Sequence, residues 1–326
     1  MQGKHIAIVL GAIAIGAVAI GGAYTFMMGK GQSQRVLFID SYHAGYAWSD
    51  GITAGIQQVL ANTNVELKVH RMDTKRNSSE DFMKQAAIRA KAVIEDFKPD
   101  VVIAADDNAQ KYLVVPYYRG GDIPFVFAGV NWDASPYGYP ASNVTGMVEV
   151  SRPDQLLDIL RTLSGGYTIA SLTGDTATAR KEHKHYAEKM DITFDQDVYV
   201  KTFDEWKREF ARLQGEADIL FMYNNAGIDG WNDEEAARFV RENAEIPSGS
   251  VQPWMAPFVL VAYTKSAQEQ GEWAANAAMQ ILNGTSPSSI PMTRNKQGNM
   301  MINSSIAQRL QLEIPASLLN AADDVL

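Results

Sequence analysis

The segment 36–60, VLFIDSYHAGYAWSDGITAGIQQVL, gathers the side chains best suited to holding a small molecule. Tyr42, Tyr46 and Trp48 offer aromatic faces that stack on a planar ligand or cover a cation. Asp40, Ser41 and His43 place polar groups between them. An apolar run at 36–39 precedes this loop, and Trp48, Ile52, Ile56, Val59 and Leu60 follow at helical spacing. Rings in an exposed strand-to-helix loop are costly unless they cover something. In an open α/β sheet such a loop lies at the carboxyl end of a strand, where ligands bind.

Four more strand ends have the same character. Asp106, Asp107 and Asn108 follow the apolar run 101–105, and Asn131, Trp132 and Asp133 follow 125–130. Gly174, Asp175 and Thr178 come after 168–172, and Asn224 and Asn225 after 219–223. The candidate contacts are Ser41, Tyr42, Tyr46, Trp48, Asp107, Asn108, Asn131, Trp132, Gly174, Asp175, Thr178, Asn224 and Asn225. Each type has a plainer use. Asp, Asn, Ser and Thr cap helices, Asn224-Asn225 also reads as a turn, and Trp132 also reads as a packing residue. Recurrence at five strand ends is what points to a ligand, with helix N-termini there able to meet a carboxylate.

Other chemistries find no support. His43 lacks a neighbouring nucleophile that would make a triad. His183 and His185 stand two apart on a predicted helix, so they face different sides and make a poor metal pair. Asp106-Asp107 invites a carboxylate-pair reading, but adjacent residues on a turn diverge. Lys207-Arg208 and the 181–184 stretch read as solvated helix faces. There is no phosphate-binding glycine loop of the Walker type and no His-Glu-x-x-His. The chain has no cysteine, which excludes disulfides, thiol catalysis and zinc ribbons. Its formal charge of -9 argues against a nucleic-acid partner. No cofactor and no metal are expected.

At 326 residues and 46% hydrophobic composition, the chain can build a two-lobed unit. Residues 6–28 form an uncharged, mostly apolar run, longer than the roughly 7–15 residues of a secretory core and close to the about 20 needed to span a bilayer. Residues 1–31 are therefore expected to be a signal anchor holding the protein at the membrane. The alternative is a cleaved signal peptide, with Gly21-Gly22-Ala23 or Ala17-Val18-Ala19 as the cleavage region. Either places the remainder on the extracytoplasmic face.

Strand and helix patterns then alternate. Strands are predicted at 36–39, 65–70, 101–105 and 125–130, with a capping box of Asn77 and Glu80 opening a helix between the second and third. A short strand falls within 143–150. The rhythm restarts with helix 153–163, strand 168–172, helix 177–189, strand 198–203, helix 204–213, strand 219–223 and helix 233–243. Strand 258–263 and helix 268–282 follow. Near-continuous apolar strands separated by helices describe doubly wound parallel sheets, one in each half.

The stretches DSYHAGYAWSDGI (40–52), PDVVIAADDNAQKYLV (99–114), IPFVFAGVNW (123–132) and NVTGM (143–147) resemble the substrate-binding proteins of ABC transporters, the type that includes tryptophan- and tyrosine-binding members. YTKSAQEQGEWAANAAMQILNG (263–284) and INSSIAQRLQLEIPASLLNAADDVL (302–326) extend the likeness, which covers nearly everything after residue 34. It implies an α/β protein of the type I periplasmic-binding fold. Two lobes would be joined by crossovers near 148–151, 257–262 and 286–290. Lobe 1 would be 32–148 plus 262–288, and lobe 2 would be 149–261 plus 289–326. It implies no catalysis, a ligand held between closing lobes by the thirteen residues named above, and an ABC permease as partner. Similar domains also act as sensors fused to kinases or cyclases. The alternative is thus a ligand-sensing subunit that signals to a membrane receptor or kinase, here expected without an output domain of its own. A more distant alternative is an α/β hydrolase or racemase with Asp107 or Asp175 as base, although no nucleophile–base–orienter set can be named.

Charge suggests the ligand. Asp106, Asp107, Asp133 and Asp175 lie at the strand ends, while the nearest cations, Lys111 and Arg180, lie a turn further into helices. Such a cleft disfavours polyanions. It suits an aromatic amino acid first, then an amine or a nucleoside-like molecule.

Overall fold

The computed structural model describes residues 33–326, so the expected anchor or signal segment lies outside the described residues. Among these, no helix is long and apolar enough to cross a membrane. The first half runs β1 (Gln34–Asp40), α1 (Ala47–Leu60), β2 (Val65–Arg71), α2 (Glu80–Phe97), β3 (Val101–Ala105) and α3 (Asp106–Ala109). A π-helical turn (Gln110–Val114) leads to α4 (Val115–Tyr117), β4 (Phe125–Asn131) and β5 (Val144–Glu149). The second half runs α5 (Pro153–Ser164), β6 (Ile169–Gly174), α6 (Ala177–Met190), β7 (Gln196–Val200), α7 (Phe203–Leu213) and β8 (Ile219–Phe221). It continues with α8 (Asp233–Asn243), β9 (Ser248–Ser250) and β10 (Val261–Lys265). The remainder is α9 (Ala267–Leu282), β11 (Thr293–Arg294), β12 (Gly298–Ile302), α10 (Ser304–Arg309), α11 (Ala316–Ala321) and β13 (Asp324–Val325).

Two sheets result, with orders β11-β5-β4-β3-β1-β2 and β13-β12-β10-β9-β8-β6-β7. Every pairing is parallel except β10 with β12. In the first sheet, alternate strand residues feed opposite faces, as a period of two requires. Val36, Phe38, Val101 and Ile103 pack with Ile52 and Ile56 of α1 and Ala274 and Ala278 of α9. Leu37, Ile39, Val102 and Phe127 pack on the other side with Ala86, Ala90 and Ile94 of α2. A second core surrounds Trp206, Phe210 and Phe221 in the other sheet. Each sheet with its helices is one lobe.

The chain crosses between the sheets three times, at 150–152, at Ser266 and at 295–297. The second and third crossings differ from the expected 257–262 and 286–290. The segment 261–265 is hydrogen-bonded to β9 and β12 and so belongs to the second sheet. Thr293 and Arg294 still pair with β5 in the first. The crossings are laced together. The Asn295 side chain accepts from Val150 N (2.8 Å) and donates to Val150 O (3.1 Å). The Glu269 carboxylate accepts from Lys296 N (2.8 Å) and Gln297 N (2.9 Å). Arg152 Nη1 donates to Lys296 O at 2.9 Å.

Two local expectations change. The N-cap of α2 is Ser79, whose hydroxyl accepts from Phe82 N at 3.3 Å, while Asn77 Nδ2 donates to Asp73. The strand expected at 198–203 stops at Val200, because Thr202 and Glu205 form a reciprocal capping box that opens α7 at Phe203.

Helices α1 and α9 meet backbone to backbone. A methyl group on Gly55 would lie 2.3 Å from Gln268 O. Helix propensity alone favours alanine there by about 1 kcal/mol, but overpacking against backbone costs about 1–3 kcal/mol. Gly55→Ala should therefore lower stability in thermal or guanidinium denaturation. A gain would mean that the helices can part at no cost.

Candidate functional site

The β1–α1 loop is fixed from beneath. Asp40 is fully buried. Its carboxylate accepts from Tyr42 N (3.0 Å) and Ser49 Oγ (2.8 Å) and pairs with Arg71. Ser41 Oγ donates to Ala105 O (2.6 Å) and accepts from Ala109 N (2.9 Å), and Ser41 O accepts from Thr74 Oγ1 (2.6 Å). These bonds occupy the Ser41 hydroxyl, so its place is in the scaffold and not in the cavity wall. Above this base Tyr42 and Tyr46 meet edge to face, with ring centroids 5.4 Å apart. The Lys75 ammonium lies 5.1 and 5.0 Å from the two rings.

Trp48 Nε1 donates to Asp106 Oδ1 at 2.9 Å. Asp106 follows β3 directly, has φ +66 and is 2% exposed. Its other oxygen, Oδ2, has no hydrogen-bond partner. Burial raises this carboxyl well above the ordinary range, and the charges of Glu149 and Asp40 push the same way. The close approach explains Gly129 of β4, where a methyl group would lie 2.8 Å from Asp106 Oδ1.

Glu149 ends β5 and Lys265 ends β10. Their side chains form an ion pair from one lobe to the other at the crossings. Burial works against the Lys265 ammonium, but the Glu149 carboxylate outweighs it and raises the group. The ammonium also lies 5.6 Å from the Trp48 ring.

A cavity of about 650 Å³ opens over these groups. Tyr42, Tyr46, Trp48, Lys75, Asp106 and Asn131 line it from the first lobe; Gln252, Trp254, Thr264 and Asn299 line it from the second, and Glu149 and Lys265 lie between. Its size lies within the range of small-molecule sites. A cavity of about 540 Å³ near the C-terminus, among Ile302, Ala307, Leu312, Ile314 and Leu319, is mostly apolar and offers no comparable set of charged groups.

Of the thirteen expected contacts, Tyr42, Tyr46, Trp48 and Asn131 line the cavity. Asp107 stands behind it, accepting from Asn131 Nδ2 (2.7 Å) and Tyr137 OH (2.6 Å). Asn108 donates to Thr74 Oγ1 at 2.9 Å. Trp132 has turned away: its Nε1 donates to Glu182 at 2.8 Å and its ring stacks on His185 of α6 at 4.8 Å. It thereby docks the first lobe on the second. Gly174 ends β6, Asp175 and Thr178 follow it into α6, and Asn224 and Asn225 lie on the loop after β8, all outside the cavity lining. There Gly174 N donates to Asn224 O (2.9 Å), Asp175 pairs with Arg180 (2.8 Å), and Asn224 Oδ1 accepts from Ala226 N (2.7 Å). Thr178 is exposed in the first turn of α6, and Asn225 O accepts from Ile228 N.

Sequence reasoning did not select Lys75, Glu149, Gln252, Trp254, Thr264, Lys265 or Asn299. Glu149 and Lys265 did leave a signal, because each is the single charge of its strand and closes it. Among the described residues no group of three or more His, Asp and Glu could hold a metal ion. His183 points inward to Asp197 (2.9 Å) and His185 lies against Trp132, so the two diverge as their spacing requires.

Two sheets joined by three crossings, with a cavity at the strand ends between them, define the type I periplasmic-binding fold. A model of the ABC transporter substrate binding protein family matches residues 47–326, and the chain belongs to that family. No curated protein matches. Among solved structures it is similar to a ligand-free, open substrate binding protein with adhesive properties from Clostridium difficile. That likeness has a TM-score of 0.69 at 16% identity, over 90% of this chain and 99% of that one. It is also similar to an ABC domain in complex with L-Trp from Streptococcus pneumonia (TM-score 0.55, 19% identity, 90% and 100% covered). A third is a periplasmic ribose ABC transporter protein from Conexibacter woesei (0.50, 14%, 89% and 98%). At such identities these likenesses show the fold.

Removing one member of a buried pair strands the other. Glu149→Gln should cost roughly 3 kcal/mol of stability, the lower end of the ~3–5 kcal/mol for breaking a buried pair, because 23% of the Lys265 side chain remains exposed. Denaturant titration beside the double variant Glu149→Gln, Lys265→Met checks this. The double variant should recover part of the loss.

Proposed function

We propose that this protein captures a small molecule carrying a ring and an ammonium group, an aromatic amino acid first and an amine or nucleoside-like molecule next. It would do so at the extracytoplasmic face of the membrane, tethered through residues 6–28, and present the closed form to an ABC permease. The observation that carries this reading is one cavity in which Tyr42, Tyr46, Trp48 and Trp254 stand around the buried Asp106 carboxyl. Aromatic faces accept a planar group, and buried carboxyls disfavour polyanions. Lys75 adds a cation within the same cavity, which suits the carboxylate of an amino acid. The similar Streptococcus domain in complex with L-Trp adds support for this ligand class.

In this reading Tyr42, Tyr46, Trp48 and Asn131 touch the ligand, while Ser41, Asp107, Asn108 and Trp132 position the first wall. The loops with Gly174, Asp175, Thr178, Asn224 and Asn225 would supply the second wall as the lobes close. Ligand then acts by shifting an open–closed equilibrium, and the permease reads the closed state.

Native mass spectrometry of the purified full chain, followed by calorimetry against a metabolite panel, tests this. An aromatic amino acid or aromatic amine should bind most tightly, and Trp48→Ala should weaken it by more than about 1 kcal/mol. A phosphate ester or dicarboxylate as the tightest ligand would sink the reading.

A further inference from the structure

Asp106 is an unusual residue for the floor of a cavity. It is 2% exposed, one oxygen is held by Trp48 Nε1, and the other has no partner. Charged and polar groups reach it from several elements. Asp40 of β1 lies beneath, paired with Arg71; Tyr42 and Trp48 come from the β1–α1 region; Asp107 is its neighbour in α3; Glu149 comes from β5, paired with Lys265. Arg71 and Lys265 each already face a carboxylate of their own. Lys75, the other cation of the cavity, lies over the rings of Tyr42 and Tyr46. An unpartnered buried carboxyl among carboxylates is costly when ionised and is relieved by a cation delivered to it.

We propose that Asp106 is the receptor for the ligand's ammonium group, and that filling it drives one proton from the carboxyl into solvent. This rests on the ligand reading above and narrows it to molecules with a protonated amine. The step balances: the carboxylic acid and the ligand's ammonium give a carboxylate–ammonium pair and a free proton taken up by buffer. With Oδ2 unpartnered and buried among carboxylates, the empty site keeps its proton to higher pH than a free carboxyl does, and an opposite charge at Oδ2 reverses that preference.

The binding form is the carboxylate, so affinity is greatest above the titration of the empty site. Below it, affinity falls by up to about tenfold per pH unit. Between the titrations of the empty and filled site, up to one proton is released per ligand bound.

The test uses the full chain with L-tryptophan, L-tyrosine and their des-amino acids, by calorimetry at several pH values and in buffers of different ionisation enthalpy. Wild-type protein should show buffer-dependent heats for the amino acids and rising affinity with pH. Asp106→Asn keeps an oxygen for Trp48 Nε1 and removes the titratable carboxyl. It should lose affinity for the amino acids by roughly tenfold or more, with a flat pH profile. The des-amino acids should bind both proteins alike, and weakly. Thermal melting controls for folding. A carboxyl raised in the folded state favours folding at acid pH and loses that contribution as pH rises, so the variant's relative stability should grow toward neutral pH. Unchanged amino-acid affinity in Asp106→Asn, or wild-type heats that do not depend on buffer, would overturn this inference and leave the ligand class standing. Tight binding of the des-amino acids, or of an anion in place of any amine, would overturn both.

Discussion

A carboxylate without access to solvent has to be answered by donors, and at Asp40 the donors are Arg71, the Ser49 hydroxyl and the Tyr42 amide. One buried group thereby ties the end of β1 to the end of β2 and to the first turn of α1. Ser41 continues the same work sideways, joining the loop to β3, to α3 and to Thr74. The rings of Tyr42, Tyr46 and Trp48 project from a loop whose backbone has already been fixed. Exposed aromatic side chains on a mobile loop would collapse on one another. Held this way, they keep one edge-to-face contact and leave the cavity between them and the other lobe.

The electrostatics of that cavity are mixed. Two carboxyls and two ammonium groups line it, and one of each is joined in the Glu149–Lys265 pair. What remains is Asp106 on the floor and Lys75 near the aromatic rim. Two opposite charges at different positions, with rings between, describe a ligand with two poles better than a simple cation.

The sheet-and-helix alternation was legible because the central strands β1, β3 and β4 of the first lobe are apolar on both faces and its helices carry one apolar stripe. The three-residue strand Ser248–Ser250 was not, since it contains no apolar side chain and is a strand only through its neighbours. Its invisibility hid Gln252 and Trp254, which follow it into the cavity. The first wall was readable because aromatic rings in a strand-to-helix loop have few other uses. Asp106 and Asp107 could not be told apart by type. Only the fold shows that one faces Trp48 and the other Asn131 and Tyr137. Trp132 was misread as a wall because a ring at a strand end looks alike whether it meets a ligand or the opposite lobe. The crossings were misplaced because a strand's membership in a sheet is a long-range fact, absent from local pattern.

The lacing of the three crossings has a mechanical consequence. Asn295 grips Val150 by two hydrogen bonds, and Glu269, one turn after Ser266, grips Lys296 and Gln297. The first and third strands of the connection are therefore tied to each other, and the second is anchored to the third through α9. Three independent linkers would let one lobe slide, tilt and twist over the other. In the closure proposed above, a braced bundle would restrict the lobes toward one rotation about its own line, so that the walls of the cavity meet in one register.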